Sequence, residues 1–367
     1  MLKNNLTITQ MNQEIFNVIL CPYCRGSKFE KFKLPDIKDI TGSGVVICSS
    51  CTSLYIYQNH ILSLVPLVLS DLDRELDFLD AYFKFLPKIP VEKKIEALRQ
   101  QKTDRENQNW QLSEKEFWDQ KRYLEQLNRE KKIKYSYNRM EVRKRHITNF
   151  IPKNITGKSI IEFGGGNSAT LYYLLNPEEY NYTYFSTDLS FNALLLVRRM
   201  HPNAICIQSD AVDPPFKENS FNFIFEFGTL HHLPDNLRVL KVHITLLKKN
   251  GYLAFHDPIN RRPALLSRFR LLSALKAEQS SHNEYVEESK AIKILEDNGS
   301  IIHKHIEYSP VRSWLVYFFH VLLKMNNKFI HYFIVACDQF IIKTLGKIWK
   351  IMDGNSMLIV WKKRIPK

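Results

Sequence analysis

From Lys158 onward, short apolar runs alternate with helical stretches, the pattern of a parallel sheet covered by helices on both faces. Ser159–Phe163 predicts the first strand, and a helix is expected from about Ser168 to Leu175. Further strands are predicted at Tyr182–Thr187, Ala204–Gln208, Phe221–Phe227 and Tyr252–Phe255, the last after a turn at Lys249-Asn250-Gly251. Glu287–Asn298 reads as a helix, Ser300–Tyr308 as a sixth strand and Met357–Lys362 as the last. The fold class this implies is α/β with a Rossmann-like sheet. Residues 71–150 lack glycine and are rich in Glu, Lys, Arg, Gln and Leu, which favours helix with interruptions near Pro87 and Pro90. Ser113 and Glu116 form a capping-box pattern before Phe117 and Trp118. With Trp110, Tyr123, Tyr135 and Tyr137, these aromatics suit either a packing face or a lid over a neighbouring site.

At 367 residues the chain exceeds the usual single-domain size, and its 44% hydrophobic content argues against wholesale disorder. Met1 to Phe16 alternate polar and apolar residues without the apolar core of a signal peptide, so a cytoplasmic location is expected. The net charge of +14 is uneven: residues 161–300 are slightly acidic, and the basic excess sits in 91–160 and 301–367. A uniformly basic nucleic-acid binder would not be built this way. Two basic segments flanking a near-neutral core could face phosphates on RNA or on a membrane, or could simply be solvated helix faces.

Four of the six cysteines form Cys21-Pro-Tyr-Cys24 and Cys48-Ser-Ser-Cys51, with 23 residues between the pairs. A hairpin of that length brings two knuckles together, and four thiolates close a tetrahedral structural zinc site. Cys206 and Cys337 read as ordinary apolar positions.

The chemistry concentrates at the ends of the predicted strands. The first strand runs into Glu162, then Gly164-Gly165-Gly166. Gly164, Gly166 and Ala169 also fit a dinucleotide pattern. A carboxylate two residues before the first glycine would repel a pyrophosphate, however, and would attract an ammonium group. S-adenosylmethionine has an ammonium and no phosphate. Asp188, 26 residues after Glu162, ends the second strand, where an acid can accept hydrogen bonds from ribose hydroxyls. Asp210 after the third strand could accept an adenine amino group while Ala211 offers its backbone N–H. Gly228-Thr-Leu-His231-His232 follows the fourth strand, and His256-Asp257-Pro258 ends the fifth.

This ordered set resembles the class I S-adenosylmethionine-dependent methyltransferases, particularly the group with Leu-His-His after the fourth strand. The resemblance covers residues 141–311 and about 355–367. It implies a seven-stranded sheet in which Glu162 holds the methionyl amine, Gly164 and Gly166 pack under the cofactor, Asp188 binds the ribose, and Asp210 and Ala211 bind adenine. The family's aspartate at the start of the fourth strand is Asn222 here, at a position that is structural in the family. His231 or His256 is a candidate general base, with Asp257 orienting it, although structural roles compete; one of the adjacent pair His231 and His232 is expected to point away from the other. Residues 17–70, through Leu54-Tyr-Ile-Tyr-Gln-Asn-His-Ile-Leu-Ser-Leu-Val-Pro66, resemble the zinc-ribbon activator subunits of tRNA methyltransferases. Such a ribbon could bind RNA, dock a partner or cap the neighbouring domain.

The expected organisation is a zinc ribbon (1–70), a helical linker or lid (71–140) and a methyltransferase domain (141–367) with an apolar helical insert at about 312–350. The insert's apolar runs, Trp314–Leu323 and Phe329–Ala336, fall short of the ~20 residues that span a bilayer. Flanked by Lys324, Lys328, Lys343, Lys347 and Lys350, the 313–350 segment suits a helical hairpin lying on a membrane surface, or one packed on the protein or another subunit. The methyl acceptor expected from this is a small molecule, a lipid-linked compound or a glycan intermediate, with peripheral contact at the inner membrane surface. RNA base methylation is the alternative, although no Asn-Pro-Pro-Tyr type motif follows the fourth strand. A non-catalytic scaffold would be expected to lose donor-site acids, and none is lost.

Overall fold

A computed structural model describes residues 14–35, 42–103, 155–165, 180–260, 285–307 and 356–364, together with a few single positions. All twelve strands among them join one sheet, ordered β1-β2-β3-β4-β7-β6-β5-β8-β9-β12-β11, with β10 (Val286–Glu287) beside β9. The central strands β5 (Ser159–Phe163), β6 (Thr183–Asp188), β7 (Ile205–Ser209), β8 (Phe221–Phe227) and β9 (Leu247–Asn260) run parallel. The last two, β11 (Gly299–Glu307) and β12 (Ser356–Lys363), are antiparallel to their neighbours, and β12 inserts between β9 and β11. Strands β5 to β9 with β11 and β12 thus form the Rossmann-like seven-stranded sheet that the sequence resemblance implies, with its antiparallel edge. The central strands are short, apolar and almost wholly buried, as a sheet covered on both faces requires.

Two helices cover the sheet next to the strand ends that carry the acids. Helix α3 (Phe191–Met200) starts where the Ser190 side chain accepts from the Ala193 N–H at 3.1 Å. Helix α4 (Asn236–Leu246) is capped by Asp235, held at φ 47°. At the far edge Trp361 is fully buried, and its indole N–H donates to the Leu295 carbonyl at 2.7 Å. That bond ties β12 to α5 (Glu288–Asn298).

The amino-terminal region is built onto the same sheet. β1 (Phe29–Lys33), β2 (Gly44–Cys48), β3 (Leu54–Gln58) and β4 (Ile61–Leu64) form an antiparallel meander. Its last strand then pairs in parallel with β7, Ile61 to Leu64 against Cys206 to Ser209. Helices α1 (Leu72–Tyr82) and α2 (Lys88–Thr103) lay Leu72, Phe78, Leu79, Tyr82, Val91 and Leu98 against Val45, Ile47, Leu54 and Ile56 of the meander.

Three local expectations are corrected. The helical segment is interrupted at Leu86–Pro87 as expected, but Pro90 makes no second break: it lies in the first turn of α2, where no intrahelical donor is needed. The fifth strand, Leu247–Asn260, is longer than Tyr252–Phe255: Leu247 already pairs with Phe221 of β8, and the ladder resumes at Tyr252 after a register shift that takes in Asn250, held at φ 59°. His231 and His232 do not diverge; Leu230–His232 is a short 3₁₀ turn and the two rings lie 3.9 Å apart. The expected helix at 168–175, the 113–116 capping box, the aromatics Trp110 to Tyr137 and, but for isolated positions, the 312–350 insert lie outside the described residues. Among the described residues no helix is long and apolar enough to cross a membrane.

His201, at the carboxyl end of α3, is 5% exposed, and burial lowers its imidazole from 6.5 to about 4. The unfolded chain therefore binds a proton between those values that the folded chain refuses. Stability supported by neutral His201 is present above pH 6.5 and is lost as pH falls toward 4, on the order of 2 kcal/mol. Denaturant unfolding of wild type and His201→Gln at pH 7 and 4.5 should show the smaller acid loss in the variant. Equal losses would contradict the assignment.

Candidate active site

The glycine loop after β5 is shaped by close contacts. Gly164 has φ +65°, and a Cβ there would lie 2.3 Å from the Thr229 Oγ1. That hydroxyl donates to the Phe163 carbonyl at 3.0 Å, which fastens the glycine loop to the loop after β8. Gly165, which the spacing of the motif does not single out, is constrained by close contacts alone. A Cβ on it would stand 2.9 Å from Ser186 Oγ and 3.1 Å from Glu162 Cγ. Gly166 lies outside the described residues.

Glu162 is 1% exposed, and its Oε2 accepts the Tyr184 hydroxyl at 2.5 Å. Burial, and then the carboxylate beside it, raise the Tyr184 phenol well above its ordinary value, so the phenol stays a donor. Asp188 ends β6, and its Oδ1 accepts the Ser190 N–H at 2.9 Å. Asp210 repeats this turn after β7, accepting the Val212 N–H at 2.9 Å. The three acids thus stand at the carboxyl ends of three adjacent parallel strands, the edge where open α/β sheets take ligands.

At the next two strand ends, Asp257 is fully buried and its Oδ1 accepts both His231 Nδ1, at 2.8 Å, and the His231 N–H, at 3.2 Å. Strand alternation puts His256 on the opposite face from Asp257. The His256 side chain is 8% exposed, and its carbonyl accepts the Gly228 N–H at 2.9 Å. Asn222 acts as a staple between the starts of β5 and β8. Its Oδ1 accepts from the Ser159 N–H at 3.0 Å and from Lys248 Nζ at 3.4 Å.

The four knuckle cysteines converge, with all ligand atoms within 4.8 Å of one another. Cys21 and Cys51 sulfurs are 3.5 Å apart and those of Cys24 and Cys48 3.6 Å, near the ~3.8 Å set by tetrahedral Zn–S bonds. The knuckles repeat one geometry. Arg25 and Thr52 each adopt a left-handed conformation and donate their N–H to the carbonyls of Cys21 and Cys48. The Tyr55 hydroxyl stands 2.9 Å from the Cys21 sulfur.

The meander also reaches the strand-end acids, a connection absent from the sequence pattern. Arg25 donates to the Pro214 carbonyl at 3.3 and 3.4 Å and lies 3.7 Å from Asp213. A single antiparallel bridge pairs Ile19 with Phe216. From β4, Ser63 donates to the fully buried Gln208 at 2.5 Å, and Gln208 donates to the Leu189 carbonyl at 2.9 Å, next to Asp188. Arg74 of α1 contacts the same Gln208 oxygen at 3.4 Å and lies 3.9 Å above the Phe191 ring.

Residues 135–305 match a family model described as a methyltransferase domain. Phthiotriol/phenolphthiotriol dimycocerosates methyltransferase 1 of Mycobacterium ulcerans is 28% identical over 108 residues, 28% of this chain and 38% of that protein. The corresponding Mycobacterium leprae methyltransferase is 28% identical over 109 residues, 28% of this chain and 39% of that protein. The chain thus spans about two fifths of the length of the curated relatives it matches. Among solved structures, Haemonchus contortus phosphoethanolamine N-methyltransferase 2, in complex with phosphomonomethylethanolamine and S-adenosylhomocysteine, aligns with a TM-score of 0.41. It is 17% identical and covers 62% of this chain and 53% of that one. The family match thus places a methyltransferase domain in residues 135–305, the part of the chain whose strand ends carry these acids.

Gly164→Ala should cost about 1–3 kcal/mol, from the positive φ together with the Thr229 clash. Adding Thr229→Ala should recover only the steric share. Chemical denaturation of both variants measures this, and complete recovery by the second change would contradict a conformational role for Gly164.

Proposed function

We propose that the protein transfers the methyl group of S-adenosylmethionine to an amphiphilic, lipid-linked acceptor. The observation that carries the donor half is the row of hydrogen-bonded acids, Glu162, Asp188 and Asp210, at three adjacent strand ends. Glu162, a buried acceptor kept so by the Tyr184 hydroxyl, suits an ammonium and opposes a phosphate. Asp188 would take the ribose hydroxyls, and Asp210 with the Ala211 N–H the adenine edge. When bound, the sulfonium supplies an electrophilic methyl group for in-line displacement, so the protein's part is alignment.

His231 is the residue assigned to deprotonate the acceptor. With Nδ1–H donating to Asp257, its Nε2 is left as the basic nitrogen. His256, the other candidate base, stands across the sheet from that carboxylate, which favours His231. The lipid-linked acceptor is supported by the names of the mycobacterial relatives and by the lysine-flanked apolar insert at 313–350. Incubation of the full chain with methyl-labelled donor and either a membrane-lipid extract or RNA stripped from cells separates the acceptors. Label in the lipid fraction, reduced at least tenfold by His231→Ala, is expected. Label confined to RNA would overturn the acceptor assignment.

The four cysteines are assigned to one structural zinc ion. Their sulfur spacings fit a closed tetrahedral site, and the set leaves no coordination position for water. Elemental analysis should give one zinc per chain, lost in Cys48→Ser together with several degrees of thermal stability. Zinc-free protein of unchanged melting temperature would contradict a structural metal.

A further inference from the structure

His243 of α4 is fully buried, and both of its ring nitrogens are engaged. Nε2 lies 2.8 Å from the Ala211 carbonyl oxygen, and Nδ1 lies 2.6 Å from Glu226 Oε1. A carbonyl can only accept, so Nε2 carries a hydrogen. The contact to Glu226 then needs a second proton, on Nδ1 or on the carboxyl group. In either form the pair has no net charge, which allows Glu226, also fully buried, to sit inside the core. The imidazole stacks on Phe163 with centroids 4.1 Å apart and planes 6° from parallel. Phe163 leads directly into the glycine loop, and Ala211 lies in the loop assigned to adenine. Glu226 stands two residues before Gly228, where the chain turns toward His231.

We infer that His243 and Glu226 are positioning residues that fix the Ala211–Val212 peptide, whose N–H holds the Asp210 carboxylate, for reading the adenine edge. The inference rests on the adenine assignment of Asp210 and Ala211. A hydrogen bond to the Ala211 carbonyl restrains the loop from below, while the Ala211 N–H and the Asp210 carboxylate are assigned to the ligand. Phe163 stacking couples that restraint to the glycine loop, so one buried ring sets the spacing of two cofactor loops. The geometry needs a donor at Ala211 and a partner at Nδ1, and does not need a charge on the pair. Glu226→Gln supplies that partner as an amide donor to neutral imidazole, so it should act as the conservative replacement. His243→Leu removes both bonds and keeps an apolar filler.

Calorimetric titration of the purified full chain with S-adenosylhomocysteine and with S-inosylhomocysteine tests this. The second ligand replaces the adenine amino group by a carbonyl. Wild type should favour the adenosyl ligand by about tenfold or more, the usual effect of a lost hydrogen bond in a polar site. His243→Leu should reduce that preference to about twofold or less, and Glu226→Gln should retain it. General destabilisation would lower both affinities together and leave their ratio intact. A His243→Leu protein with the wild-type ratio, whatever its melting temperature, overturns the inference. Wild type that binds neither ligand overturns the cofactor assignment itself, and wild type that binds both equally overturns the adenine reading of 210–211.

Discussion

The pairing of β4 with β7 is the constraint on which the rest of the molecule depends. β7 is buried along its whole length, and as an edge strand it would leave a row of backbone donors and acceptors unpaired. Four residues of the meander, Ile61 to Leu64, supply the missing ladder. Once that register is set, the first knuckle falls beside the 213–216 loop and Ser63 reaches Gln208. The cysteine-bearing meander region is therefore an extension of the central sheet, and α1 and α2 close the face it would otherwise expose.

The same pairing explains why the ribbon bears on the strand-end acids without supplying any of them. Asp188 and Asp210 each spend one oxygen on a turn N–H, which fixes the carboxylate relative to its own strand. Gln208 and Arg25 then fix the loops themselves, from the ribbon side. His243 does so from the helix side, through Ala211. Rigidity in these loops comes from many buried polar contacts, each of modest individual worth, which together leave little freedom.

Much of this is legible in the sequence, for physical reasons that differ by element. β5 and β8 fall where the apolar runs predict them, because short runs buried on both faces have sharp ends. The two knuckles and the hairpin between them, β1 with β2, follow from the cysteine spacing. The β4 to β7 pairing is not legible, since an apolar strand does not name its partner. Gln208, Glu226 and His243 escape sequence reasoning for a related cause. A polar residue in an apolar run reads as an irregularity until a buried partner from a distant segment is found. Gly165 is hidden because the dinucleotide-like spacing points to Gly164 and Gly166, whereas its close neighbours are Ser186 and Glu162.

The most direct test of the account is a crystal structure of the full chain with S-adenosylhomocysteine. It should have the amine at Glu162, the ribose hydroxyls at Asp188 and the adenine against Asp210 and Ala211, with the Arg25 and Gln208 contacts intact. A ligand bound elsewhere, or one whose adenosine avoids the 188 and 210 loops, would contradict the account.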